Sequence, residues 1–251
     1  MMYAPCIIKA DFESKDKKYN KSYDENMHKL GEQISNNFCY TVHWIDTGEV
    51  WGPFTYRGQN ATQEFVKGMD NELVKINKVL AINNDIRDDK NSSEYLIAKE
   101  KFDTSTKCWI CGKEFDFEFE KVNQSWIERP IYNKVWDHNH ITGKYRGAAH
   151  NNYNLQLQIQ LWKTPIPIVF HNFRGYDSHL VCESVGQSVN AHQITVIAET
   201  FEWYKSMKVG QMKYIDSYQF MRSDLAQLAN NLGVVKCKDT NCNYYHRIDN
   251  N

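Results

Sequence analysis

No run of 18 apolar residues occurs in this sequence, and its N-terminus carries no apolar signal region. Neither a membrane-spanning helix nor a secretory leader is therefore expected. Net charge is almost absent too, at −1, with 30 Lys and Arg against 31 Asp and Glu. A chain so balanced has no global basic field to attract nucleic acid. The seven cysteines are odd in number, and only Cys108 and Cys111 stand at a close, ligand-like spacing. That excludes a secreted disulfide framework and points to an intracellular, reducing setting. Internal repeats and low-complexity tracts are missing as well. The first strand reads from almost the first residue and the last residues are polar, so a piece of a longer protein is expected.

The 251 residues suit one large domain or two small ones, and 41% hydrophobic with 24% charged residues is ordinary globular composition. The local charge is less even. Residues 121–175 hold seven bases (Lys121, Arg129, Lys134, Lys144, Arg146, Lys163, Arg174) against Glu128 and Asp137, whereas 85–120 hold ten acids against six bases. Such a middle segment can present a basic face to phosphates, or simply a set of solvated loop charges.

Residues 5–13 read as a strand, followed by a Lys/Asp/Asn-rich loop to about 28. Two aromatic and β-branched runs, 38–45 and 50–56, flank Asp46-Thr47-Gly48, a hairpin signal. Phe65, Met69, Leu73, Ile76 and Leu80 recur at helical spacing, which predicts a helix over 61–81 capped near Asn60. A second helix is predicted over 93–101, with Ser92 or Ser93 as its cap. Later come a strand over 165–171, a helix over 176–187 and short strands over 193–198, 201–205 and 213–215. An amphipathic helix over 222–232 would close at Gly233. Strand, hairpin, helix, strand, helix is the order of a ribonuclease-H-like α/β domain with a mixed sheet. Residues 1–102 and 161–251 would form it, and 103–160, with the Cys pair and a His cluster, would be an inserted module.

The chemistry concentrates in two stretches. Ile7-Ile8-Lys9-Ala10-Asp11-Phe12-Glu13 is an apolar strand delivering two carboxylates, and residues i and i+2 of a strand share a face. Val169-Phe170-His171-Asn172-Phe173-Arg174-Gly175-Tyr176-Asp177 is a second apolar run that ends in Asn and then Asp. Adjacent buried carboxylates repel unless a cation offsets them, and Mg2+ (or Mn2+) with oxygen ligands is the natural one. Two such ions about 4 Å apart can activate a water and stabilise a leaving 3′ oxygen.

These stretches resemble the first and second exonuclease motifs of protein-primed family-B DNA polymerases, most closely the viral and self-synthesising transposon branch. Tyr214-Ile215-Asp216-Ser217-Tyr218-Gln219-Phe220, then Ser223-Asp224-Leu225 and Leu228, is similar to the segment that follows there. The resemblance implies a 3′–5′ exonuclease of the proofreading type, with Asp11, Glu13 and Asp177 as metal-binding catalytic acids. It implies that Asn172, Tyr176 and Arg174 contact DNA, the partner being a single-stranded 3′ end. It also implies a polymerase domain elsewhere in the parent protein. Two departures stand out. No later helix with the family's third motif, Tyr-x-x-x-Asp, is read after Asp216, and the polymerase motifs are missing, including the Asp-Thr-Asp signature.

Cys108-Trp109-Ile110-Cys111 has zinc-knuckle spacing. Downstream run Asp137-His138-Asn139-His140, Gly143, Arg146-Gly147, His150 and Asn154. The set resembles the endonuclease VII group of His-Asn-His nucleases, which implies a treble-clef fold. By that resemblance Cys108, Cys111 and His150 would hold structural zinc, Asp137 and Asn154 a catalytic metal, and His138 would be the general base. The fourth zinc position is Tyr153, whose phenol stays protonated near neutral pH, so the set is three ligands or borrows His140. Two rival functions follow: an endonuclease working through Asp137, His138 and Asn154, and a non-catalytic DNA-binding remnant of a mobile element. Cys237, Cys242 and His246 form a looser set, read as coincidence or a truncated finger.

Overall fold

In the computed structural model, residues 4–22, 28–115, 117–122, 125–130, 133–157, 159–182, 184–200, 204–231, 234–236 and 245–247 are described. Strands β1 (Cys6–Ser22), β2 (His28–Trp44) and β3 (Val50–Arg57) come first, then helices α1 (Ala61–Leu80) and α2 (Ser93–Thr104). The middle of the chain holds β4 (Phe117–Val122), β5 (Ser125–Pro130), β6 (Lys134–His138), β7 (Tyr145–His150) and α3 (Asn151–Leu157). The last part holds β8 (Ile166–Phe170), α4 (Asp177–Cys182), β9 (Ile194–Ala198), β10 (Tyr204–Val209), β11 (Met212–Asp216), α5 (Leu225–Asn231), β12 (Val234–Lys236) and β13 (Tyr245–Arg247).

Seven strands form one mixed sheet in the order β3-β2-β1-β8-β11-β10-β9. β1 runs parallel to β8, with Ile8 opposite Ile168 and Lys9 opposite Val169, while β10 is antiparallel to both β9 and β11. The class is therefore α/β with a mixed sheet. The chain divides into two compact units, one of residues 1–7, 42–51 and 68–166, the other of residues 8–41, 52–67 and 167–251.

The second unit is built on period-2 alternation. Ile8, Ala10 and Phe12 of β1, Phe38 and Tyr40 of β2, and Ile168 and Phe170 of β8 are buried. Phe65 from α1 joins them, its ring centroid 4.9 Å from Phe12 and 5.3 Å from Phe38. Edge-to-face contacts of this kind add to burial. The first unit has a smaller core of Cys108, Phe115, Ala148 and Ala149.

The predicted hairpin between β2 and β3 is present, with Gly48 at φ 72° and its N–H donating to the Trp44 carbonyl at 3.0 Å. The helix predicted over 61–81 spans 61–80, with Phe65, Met69, Leu73, Ile76 and Leu80 buried, and Ser92 caps α2 by accepting from the Tyr95 N–H at 3.1 Å. Two expectations fail. Of the loop predicted over 14–28, residues 14–22 are extended: β1 continues to Ser22 beside its sheet neighbour β2, because ladder pairing overrides polar composition, and 23–27 lie outside the described residues. The helix predicted over 176–187 is broken after Cys182, and a separate 3-10 turn covers Val185–Gln187. Ser184 in the break is buried with its hydroxyl 2.7 Å from that of Thr62. Of the strand predicted over 201–205, Tyr204 and Lys205 are strand and the strand runs on to Val209, where Gly210 at φ 57° makes the turn into β11; residues 201–203 lie outside the described residues. Gly233, the predicted helix stop, lies outside the described residues, as do Cys237 and Cys242. His246 sits on β13 opposite Val235.

Candidate functional site

Parallel pairing of β1 with β8 brings the two acidic stretches together at one end of the sheet, within the second unit. Asp11 and Glu13 alternate with buried Phe12 and are exposed, whereas Asp177, the first residue of α4, is 1% exposed. Protein packed around the Asp11 carboxyl, and then the charge of Glu13, raise its pKa against a Phe12 N–H bond and the charge of His171. Burial, and then the charge of Asp11, push Asp177 up to about 8, with N–H bonds from Phe12 and its own backbone opposing and Asp216 adding to the rise. Asp177 Oδ1 is buried without a hydrogen-bond partner, and so is His171 Nε2. An unsatisfied buried carboxylate oxygen is costly, which makes this one a natural cation ligand. The three acids do not converge to ligand distance: among the described residues, only the Cys/His group discussed below has all its ligand atoms within 4.8 Å.

The loop from 171 to 176 is held by Asp216, which is wholly buried at the end of β11. Its carboxylate accepts the N–H groups of Asn172 at 2.9 Å, Arg174 at 3.3 Å and Tyr218 at 2.9 Å. Sequence reading gave Asp216 no role. The signal was present: Met212, Tyr214 and Asp216 alternate, so the acid falls on the inward phase of the strand. Asn172 is exposed and left-handed at φ 69°. A Cβ on Gly175 would lie 2.6 Å from Asn172 Oδ1, so only glycine permits that side chain its place. Tyr176 donates its hydroxyl to Ser14 of β1, tying the loop back to the first acidic strand. Arg174 turns to Glu199 at 2.8 Å, with Asp216 at 3.8 Å, so it braces the loop.

The zinc-type residues meet in the first unit. Cys108 Sγ, Cys111 Sγ and a His150 ring nitrogen lie within 4.8 Å of one another. Cys111 Sγ is 3.5 Å from His150 Nδ1, and the His150 N–H points to Cys108 Sγ at 3.3 Å. The turn closes through Gly112 at φ 71°, whose N–H reaches the Cys108 carbonyl at 2.9 Å. Burial works to raise the Cys108 thiol, yet N–H bonds from His150, Cys111 and Ile110 and the Cys111 side chain bring it down to about 7. Thiolate character at that pH suits a soft metal such as zinc. Tyr153 on α3 is exposed with its ring 6.1 Å from that of His150, and His140 is bonded to Asn83 at 2.7 Å instead of joining the group.

Asp137 is 2% exposed, and both oxygens are engaged. Trp109 Nε1 donates to Oδ2 at 3.0 Å and Arg146 to Oδ1 at 2.8 Å. His138, the proposed base, has its Nε2 3.7 Å from Asp85, a partner that sequence reading did not foresee. Burial lowers the His138 pKa, with Asp85 opposing and His140 assisting. Asn154 is half-buried on the second turn of α3. Tyr245 and the last Asp, Asp249, do stand at Tyr-x-x-x-Asp spacing, which corrects the sequence reading. Tyr245 begins a strand, however, and Asp249 lies outside the described residues.

No family model matches the chain, and neither a curated protein nor a solved structure matches it. Among the described residues no helix is long and apolar enough to cross a membrane.

Proposed function

We propose that the second unit is a ribonuclease-H-like 3′–5′ exonuclease domain that removes terminal nucleotides from single-stranded DNA, as the proofreading region of a protein-primed family-B DNA polymerase does. The observation that carries this reading is the buried, partnerless Oδ1 of Asp177 beside the charge of Asp11. On this reading Asp11, Glu13 and Asp177 hold Mg2+ or Mn2+. Such ions, held by these three carboxylates, would lower the pKa of a water for attack and offset charge on the leaving 3′ oxygen. The loop fixed by Asp216 presents Asn172 to the terminal nucleotide, and Tyr176 holds the loop to β1. Polymerisation belongs to residues outside this sequence.

The test is a gel time course on a 5′-labelled single-stranded oligonucleotide with Mg2+ or Mn2+. Single-nucleotide shortening from the 3′ end is expected. Asp177→Asn should lower kcat on the order of 10³-fold, the scale of removing one preorganised electrostatic group from an active site. Unchanged shortening by Asp177→Asn would remove the proposal.

For the Cys/His module, the engagement of Asp137 by Arg146 and Trp109 favours a non-catalytic reading. Knuckle, β6–β7 hairpin and α3 support a treble-clef zinc scaffold, held by Cys108, Cys111 and His150, that binds DNA without cutting it. The endonuclease alternative, with Asp137, His138 and Asn154, requires nicking of a closed circular DNA that is lost in Asp137→Ala.

A further inference from the structure

The sheet has one buried face and one exposed face along β1, β2 and β3. Phe12, Phe38 and Tyr56 lie on the core side, with ring centroids 5.9 Å apart for Phe12–Phe38 and 5.7 Å for Phe38–Tyr56. Alternation sends Asp11, Glu13, Cys39, Thr55 and Arg57 the other way, and all five are exposed. With Asn37, and with parts of Phe38 and Tyr56, they line an open cavity of about 390 Å³. Its two carboxylates stand on β1 and its guanidinium on β3, with β2 between them. Adjacent strands are about 4.8 Å apart, so the backbones of β1 and β3 run roughly 10 Å apart. Arg57 makes no ion pair among the described residues. A guanidinium without an ion pair on an exposed strip is suited to phosphate, and it stands on a different strand from the two acids.

We propose that Arg57 is a phosphate-positioning residue: the single strand crosses the exposed face of β1–β3, and Arg57 holds a phosphate neighbouring the scissile one. Asn37 and Thr55 offer hydrogen bonds along the same path. The occupant is a polynucleotide because the cavity pairs acids suited to a divalent cation with a separate cation for a second phosphate. The inference rests on the exonuclease reading of Asp11 and Glu13.

The test uses the full chain with Ca2+ in place of Mg2+, to separate binding from hydrolysis. Anisotropy of a 5′-fluorescein oligo-dT is measured over a range of KCl concentrations. Arg57→Ala should weaken binding about 10-fold, the worth of one charge-assisted hydrogen-bonded contact. It should also reduce the log–log salt slope by about 0.7, one single-strand phosphate contact. Arg57→Lys should keep the slope. An oligonucleotide with a neutral methylphosphonate at the neighbouring linkage should show the same loss with the unaltered chain and no further loss with Arg57→Ala. An unchanged slope in Arg57→Ala, or two losses that multiply, would overturn the assignment. The slope judges Arg57 by itself, whereas Asp177→Asn hydrolysis judges the exonuclease reading, so either can fail alone.

Discussion

Asp137 and Asp177 are both almost wholly buried aspartates, one in each unit, and their surroundings are opposite. Asp137 has a guanidinium on one oxygen and an indole N–H on the other. Asp177 has one oxygen with no hydrogen bond and faces the charges of Asp11 and Asp216. A carboxylate satisfied by its own protein is a structural fastening, whereas one left crowded by like charge calls for a proton or a metal. The same contrast separates the two candidate metal sites. A cysteine pair and an imidazole can gather to within 4.8 Å of one another, as Cys108, Cys111 and His150 do. Asp11, Glu13 and Asp177 share a neighbourhood without closing to ligand distance, and carboxyl groups brought closer than that repel unless a proton or a cation offsets them. The more complete geometry is therefore no guide to which site does chemistry.

The largest expected effect tests the gathered site. The purified chain should carry about one zinc per molecule by atomic emission, as a tetrahedral centre with an open or water-filled fourth position would. Cys108→Ser should lose it and fall in stability by several kcal/mol, because metal binding at such a site is folding energy. A chain that melts at the same temperature before and after zinc chelation would show that the thiols are gathered for packing alone. Next in size is a paired comparison of the two aspartates by urea denaturation. Asp137→Ala strands Arg146 and the Trp109 N–H and should cost about 3 kcal/mol, the lower end for a buried pair because Arg146 keeps 29% exposure. Without added divalent ions, Asp177→Asn should be neutral or stabilising, since it puts a neutral amide where the acid must hold a proton against burial and like charge. Equal losses in the two variants would erase the contrast.

Much of the fold was legible because local signals agreed with the tertiary outcome. The 46–48 turn, the apolar face of α1 and the Ser92 cap were all visible in residue type and spacing. The polar stretch after Glu13 was misread because pairing between β1 and β2 is a tertiary gain that composition does not encode. At the sites, the residues were visible but their partners were not. Asp11, Asp177 and the Cys pair could be picked out, whereas Asp216 under the 171–176 loop and Asp85 beside His138 depend on contacts between distant segments. Arg174 shows the converse: a base inside a DNA-contact motif whose guanidinium is turned to Glu199 and Asp216.

The smallest effect is a slope, and it sharpens the comparison most directly. Asp177 rises from an ordinary 3.8 to about 8 on folding. Between those values the folded chain binds a proton that the unfolded chain has released. Its contribution to stability is therefore complete below about pH 4 and is lost as pH rises through about 8. Asp11, also raised, acts in the same direction. Asp85 and His138 are both lowered and act oppositely at more acid pH, so the informative quantity is the difference between the unaltered chain and Asp177→Asn. Urea midpoints from pH 5 to 9 without added divalent ions should decline in the unaltered chain relative to Asp177→Asn. Saturating Mg2+ should shrink that decline, because the cation takes over the role of the proton. Parallel profiles in the two proteins would mean that Asp177 is satisfied by its own protein, as Asp137 is by Arg146 and Trp109, and the distinction between the two aspartates would collapse.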